Sequence, residues 1–170
     1  MNTKRSRMTI AIAVAFVALA SIPAVAATSG SILLSGNVPA ILEITVTPEP
    51  GITNLPITTT QSDLLVATVV ERSNKHAGYT VTLQSSNMVA GGLASPAFKS
   101  AGTSDSLPYS IKYGGVAVSF SSGTAVVSDV ASRTDAAGTS KGLTISFDGA
   151  NYFLDEATYS DTLTLTIIAK

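Results

Sequence analysis

An all-β antiparallel sandwich is the fold this 170-residue sequence predicts, on three observations. Beyond residue 30, apolar residues recur at every second position, the spacing of side chains on one face of a strand. Gly, Pro, Asn and Asp punctuate the chain at short intervals, cutting it into segments of strand length. Helical periodicity is almost absent after the first 26 residues. At least six short strands with turns between them suit a sandwich, with no internal repeat and no second domain.

The first residues read as an address. Lys4, Arg5 and Arg7 make a positive n-region, Met8 to Ala20 is almost unbroken Ala, Val, Ile, Leu and Phe, and Ala24-Val25-Ala26 supplies the small residues of a cleavage site. The apolar run is about 13 residues, short of the roughly 20 that cross a bilayer. Residues 1–26 are therefore expected to be a signal peptide, leaving about 144 residues, a comfortable size for one domain. No later segment is long and apolar enough to span a membrane, so export to the periplasm and then the cell surface or medium is expected.

Removing the n-region leaves 7 basic residues against 11 acidic ones, a net charge of about −4. No basic cluster survives, which argues against nucleic acid or anionic lipid as partners. Charged residues make up only 12% of the chain, where about 25% is usual, so Ser, Thr and Gly fill the surface. There is no cysteine. An exported domain without disulfides must draw its stability from its core or from partners.

The first predicted strand is the longest. From Ile32 to Val46 the even positions are Ile32, Leu34, Gly36, Val38, Ala40, Leu42, Ile44 and Val46, while Ser, Asn, Pro, Glu and Thr fill most odd ones. Leu33 and Ile41 are the exceptions. Pro48-Glu49-Pro50-Gly51 ends this strand. Leu64 to Val70 is a mixed apolar run fit for a buried strand, Asn74 to Gly78 a turn, and Tyr79, Val81 and Leu83 alternate with Thr80, Thr82 and Gln84. That pair reads as a β-hairpin with a slightly long loop.

Ser85 to Ser106, rich in Ser, Gly, Ala and Pro, reads as a long surface excursion. Pro108 to Val118 predicts two strands about the tight turn Gly114-Gly115. Ser119 to Gly138 is small and polar apart from Ala125 to Val127. Leu143, Ile145 and Phe147 alternate with Thr144 and Ser146 up to Asp148-Gly149. In the last strand Tyr159, Leu163, Leu165 and Ile167 face one way and Ser160, Thr162, Thr164 and Thr166 the other.

Chemistry-bearing motifs are sparse. His76 is the only histidine and sits in a turn beside Asn74 and Lys75, as a solvated loop residue would. Gly138-Thr139-Ser140-Lys141-Gly142 matches G-x-S-x-G, but that motif works on a strand-to-helix elbow with a histidine later in the chain. Here a strand follows and no histidine does. Asp155, Glu156 and Asp161 match no calcium loop and read as surface solvation. Nothing in their surroundings suggests the cleft that glycoside chemistry by paired carboxylates would need. The five tyrosines, Tyr79, Tyr109, Tyr113, Tyr152 and Tyr159, stand at strand positions, where core or edge packing explains them better than a sugar platform. The expectation is a non-enzyme with no cofactor and no metal.

Several segments resemble the major subunits of class 5 (alternate chaperone pathway) fimbriae, and more loosely the spore coat protein U domain of archaic pili. Ile32, Leu34, Gly36 and Val38 followed by Pro39-Ala40-Ile41-Leu42 follow the order of the class 5 N-terminus. L-P-Y-S-I-K-Y-G-G-V-A-V-S (Leu107 to Ser119) looks like their strand, Gly-Gly turn, strand unit. S-K-G-L-T-I-S-F, then A-T-Y-S-D-T-L-T-L-T-I-I (Ala157 to Ile168), look like their final two strands. Lack of cysteine agrees with class 5 and departs from coat protein U domains, which usually carry a disulfide.

The resemblance implies an immunoglobulin-like sandwich missing one strand, residues 39–170, preceded by a donor strand, residues 27–38. Ile32, Leu34, Gly36 and Val38 would fill the groove of a neighbouring copy, with Gly36 where the groove is shallow. Leu163, Leu165 and Ile167 are the implied groove walls. Burying three large apolar side chains would contribute about 5–8 kcal/mol before entropy costs. The implied function is a structural subunit of a fimbria or pilus supporting adhesion or biofilm, with a periplasmic chaperone, an outer-membrane usher and copies of itself as partners. Periodicity alone also fits a complete, self-contained secreted sandwich that binds a glycan or protein.

Overall fold

Two antiparallel sheets account for every strand in the computed structural model, which describes residues 28–170. The expected signal peptide, residues 1–26, lies outside the described residues. The strands are β1 (Leu42–Pro48), β2 (Thr60–Ser73), β3 (Tyr79–Ser85), β4 (Ala97–Ser100), β5 (Ser106–Tyr113), β6 (Val116–Ala117), β7 (Thr124–Val130), β8 (Thr139–Asp148), β9 (Tyr159–Ser160) and β10 (Leu163–Ala169). One short helix, α1, spans Ser86–Gly91. The larger sheet runs β1-β2-β8-β5-β4-β9, with β6 folded back on β5, and the smaller runs β10-β3-β7. Val38–Lys170 forms one unit.

The period-two pattern decides which faces meet. Val69 on β2, Ile111 on β5, and Leu143, Ile145 and Phe147 on β8 turn inward from the larger sheet. Val81 and Leu83 on β3 turn inward from the smaller one, both with no exposed surface. Leu83 belongs to the same buried cluster as the larger sheet's residues, so the core is the space between the sheets. At the Gly114-Gly115 turn both residues have positive φ (57° and 82°), the two-residue hairpin geometry that glycine makes accessible.

Four expectations change. The long N-terminal strand begins at Leu42, not Ile32; residues 28–40 have no strand conformation. A strand needs a ladder, and β1 starts where register with β2 starts, Leu42 opposite Ser73. Just before it, Asn74 holds the chain, its side chain donating to the Pro39 carbonyl and accepting from the Ile41 N–H, both at 2.8 Å.

Leu64–Val70 and Tyr79–Leu83 do not form a hairpin. β2 pairs with β1 and β8, whereas β3 pairs with β10 and β7. The Asn74–Gly78 turn is a crossover between sheets, and the two strands meet through their apolar faces instead of their edges. Gly78, at φ 86°, makes it possible, since a Cβ there would lie 1.9 Å from the Val130 carbonyl oxygen.

Ser85–Ser106 is not a surface excursion. Ser85 caps α1, its hydroxyl accepting from the Met88 N–H, and β4 delivers Phe98 into the core. The Phe98 ring lies 4.6 Å from that of Tyr109 and edge-on to Phe147 at 5.6 Å. Finally, Tyr159 does not share a strand with Leu163. It belongs to β9, paired with β4 in the larger sheet, and Asp161-Thr162 carry the chain across to β10 in the smaller one.

Candidate functional site

β1 and β10 are edge strands of opposite sheets, each paired on one side only. They approach one another across the sandwich without sharing a ladder. Between them lies a cavity of about 270 Å³. Its walls are Val46 and Pro48 of β1, Leu163 and Leu165 of β10, Val66 and Ala67 of β2, and Leu143 and Ile145 of β8, with Ile52, Leu55, Phe98 and Tyr109 also lining it. Apart from Asp161, Thr162 and the Tyr109 hydroxyl, the lining is hydrocarbon.

The cavity is open to solvent. Val46 keeps 43% of its surface exposed although it lines an apolar wall. Leu163, Leu165 and Ile167 are only half-buried, while Val81 and Leu83, the register partners of Ile167 and Leu165, are fully buried. Leu163 and Leu165 line the cavity. Ile167 shares their face of β10 but lies beyond the lining.

Of the residues assigned to donation, Ile32, Leu34 and Val38 are exposed and none lies in a strand. Gly36 has open space where a Cβ would be. These residues keep the alternation that a paired strand would use.

Two carboxylates that pattern reading missed hold the sandwich in shape. Glu71 is fully buried and accepts from Tyr113 Oη at 2.6 Å, Ser128 Oγ at 2.7 Å and Tyr79 Oη at 2.9 Å, with Lys141 Nζ 3.6 Å away. Tyr79 and Ser128 come from the smaller sheet, Tyr113 and Lys141 from the larger, so the carboxylate pins the sheets together. Lys141 also sits over the Tyr113 ring, 5.3 Å from its centroid. Burial, then the hydrogen bond to Glu71, pushes the Tyr79 phenol up to about 12, and the same causes raise Tyr113. Strand parity was the available signal: Val69, Glu71 and Ser73 share one face, and Val69 points to the core.

Asp161 is the second. It does not merely solvate the surface, as expected, but accepts from Ser85 Oγ and Tyr109 Oη at 2.7 Å, Ser86 Oγ at 2.8 Å and the Asn87 N–H at 3.1 Å. It therefore fixes the start of β10 against α1 and β5 at one end of the groove. Burial and this hydrogen bond raise the Tyr109 phenol. Nothing in the spacing of Asp161 marked it, since its partners are 52 to 76 residues away in sequence.

The nucleophile-like motif is not an elbow. Gly138 is a turn residue at φ 81°, and Ser140 is an exposed β8 residue opposite Val70. His76 is exposed in the inter-sheet turn. Among the described residues no helix is long and apolar enough to cross a membrane.

No family model matches the chain, and no curated protein matches it. Among solved structures it is similar to the E. coli Hda pilus minor tip subunit, HdaB, at 18% identity and a TM-score of 0.39, over 74% of this chain and 79% of that one.

Proposed function

We propose that this chain is a structural subunit of a surface fibre, of the class 5 fimbrial kind, that polymerises by donor-strand complementation. The observation that carries the reading is the open apolar groove between the unpaired edges of β1 and β10. A gap of that shape is short of one strand: it lacks alternate apolar side chains for its floor and a ladder partner for each edge. The segment before β1 offers both, with Ile32, Leu34, Gly36 and Val38 on one face and backbone that forms no ladder of its own. Leu163 and Leu165, continued by Ile167, would be the wall it meets.

At about 270 Å³ the groove is small beside ligand sites of roughly 300–1,000 Å³, and it has few polar groups to orient a ligand. These features favour an apolar strand over a glycan. Export through residues 1–26, protection of the groove by a periplasmic chaperone, and assembly at an outer-membrane usher belong to the same proposal, as does a role in adhesion or biofilm. No reaction is assigned to it.

The test compares the chain from Ala27 onward with a variant in which Ala27 to Val38 is moved to the C-terminus behind a short linker, by size exclusion with light scattering. The unmodified chain is expected to polymerise or misfold and the rearranged one to be a stable monomer. A native chain that never assembles, and that stays a stable monomer when the segment is deleted, would replace this reading with a self-contained binding module.

A further inference from the structure

Every ladder in the domain is antiparallel. A donor that keeps to that rule against β10, and so runs parallel to β1, would enter the groove beside Ala169 and leave it beside Leu163 and Asp161. The donating copy's own domain begins just after that exit, so two particular ends are brought together. One is the acceptor's end that carries the loop between β8 and β9. The other is the donating copy's end around Ile41 and Asn74.

The acceptor end carries a fully exposed aromatic, Phe153. Its loop is tied down on both sides. Asp148 accepts from the Thr60 hydroxyl and the Asn151 side chain, the Asp155 N–H donates to Asp105 at 2.9 Å, and Tyr159 Oη donates to the Asp155 carbonyl at 3.0 Å. Leu154, the next residue, packs against the core. Phe153 is thus held outward, followed closely by the exposed acids Asp155 and Glu156. An aromatic kept in water by a restrained loop is poised to bury itself in a partner at little entropic cost.

The donating end has a matching recess. A cavity of about 400 Å³ opens there, with Val38, the last residue of the donated segment, Ile41 and Ala136 as apolar lining and Arg72 and Arg133 as cations; Asp135 lines it too. Arg72 is bridged to Glu43 at 3.3 Å, while Arg133 has no ion-pair partner among the described residues.

We propose that Phe153 of one copy seats in the Ile41/Arg72/Arg133 recess of the copy that donates its strand, with Asp155 and Glu156 facing Arg133. This rests on the donor-strand reading and adds a second, head-to-tail contact outside the groove. Such a contact is heterologous, so it propagates as a filament and does not close into a dimer. Its charged part steers the approach of copies and weakens with salt.

The experiment follows assembly of the chain from Ala27 onward by light scattering, at low and high salt. Phe153→Ala and Arg133→Glu are each expected to slow assembly about tenfold, the effect of losing one anchor in a small interface. Their thermal melts should match wild type, because both side chains are exposed. Combining Arg133→Glu with Glu156→Arg should restore most of the rate. Wild-type rates for both single variants, or no rescue in the charge-swapped one, would overturn the docking. The deletion of residues 28–37 separates the two ideas. If it abolishes assembly while Phe153→Ala does not slow it, the docking contact fails alone; if it leaves assembly intact, the donor-strand reading falls and takes the docking with it.

Discussion

Leu83 and Leu165 are register partners on adjacent strands, yet Leu83 has no exposed surface while Leu165 is only half-buried. Both point into the sandwich, so the difference lies in what covers them. Over Leu83 the larger sheet closes the core; over Leu165 there is the groove, with β1 as its far wall. A row of half-covered leucines beside an unpaired edge is a surface that natural sheets ordinarily avoid.

Leu34→Asp should abolish assembly while leaving the domain folded, because Leu34 is exposed in the single chain. Placing a carboxylate in a hydrocarbon groove costs several kcal/mol, which is at least a hundredfold in affinity. Light scattering beside a thermal melt reads the two effects apart. Assembly at the wild-type rate would mean that Leu34 does not enter the groove.

Glu71→Ala should destabilise the domain by about 3–5 kcal/mol. It leaves three buried hydroxyls and the Lys141 ammonium without their shared acceptor. Urea unfolding of the chain with Ala27 to Val38 moved to its C-terminus measures the loss. Glu71→Gln, which keeps an acceptor oxygen, should cost less.

Stability should fall between about pH 10 and pH 12. Tyr79 is raised to about 12 in the folded state, and Tyr109 and Tyr113 are raised as well. In that window the unfolded chain releases phenol protons that the folded one keeps, so the stabilisation present below pH 10 is lost as pH rises. The slope is about 1.4 kcal/mol per pH unit for each such tyrosine. Urea midpoints from pH 9 to 12 give the slope, and Tyr79→Phe should make it shallower.

Gly78→Ala should cost more than the roughly 1–3 kcal/mol of a strained backbone position. The residue is at φ 86°, and the new methyl would collide with the Val130 carbonyl as well. A melt within 1–2 °C of wild type would show that the inter-sheet crossover can rearrange around it.

The all-β sandwich and most of its strands were legible in the chain because side-chain alternation is a local property. Val81 and Leu83 or Ile145 and Phe147 announce a face whatever their partners are. The Gly114-Gly115 hairpin was legible for the same reason, its geometry being set by two adjacent residues. The apolar pattern of Leu163, Leu165 and Ile167 was visible too.

Which strands pair could not be read this way. β2 and β3 look like a hairpin because they are consecutive, but their apolar faces are buried against each other, and only the competition among all strands puts β8 beside β2 and β10 beside β3. Phe98 looked like loop because its neighbours are small and polar; its partners Tyr109 and Phe147 are distant in sequence. Asp161 and Glu71 were silent for the same reason, since a carboxylate's role is set by the donors that folding brings to it. By itself the sequence determined the faces, the turns and an alternating segment ahead of β1. The tertiary structure decided that β1 and β10 keep an apolar gap between their free edges, because a groove is a relation between strands that local pattern does not encode.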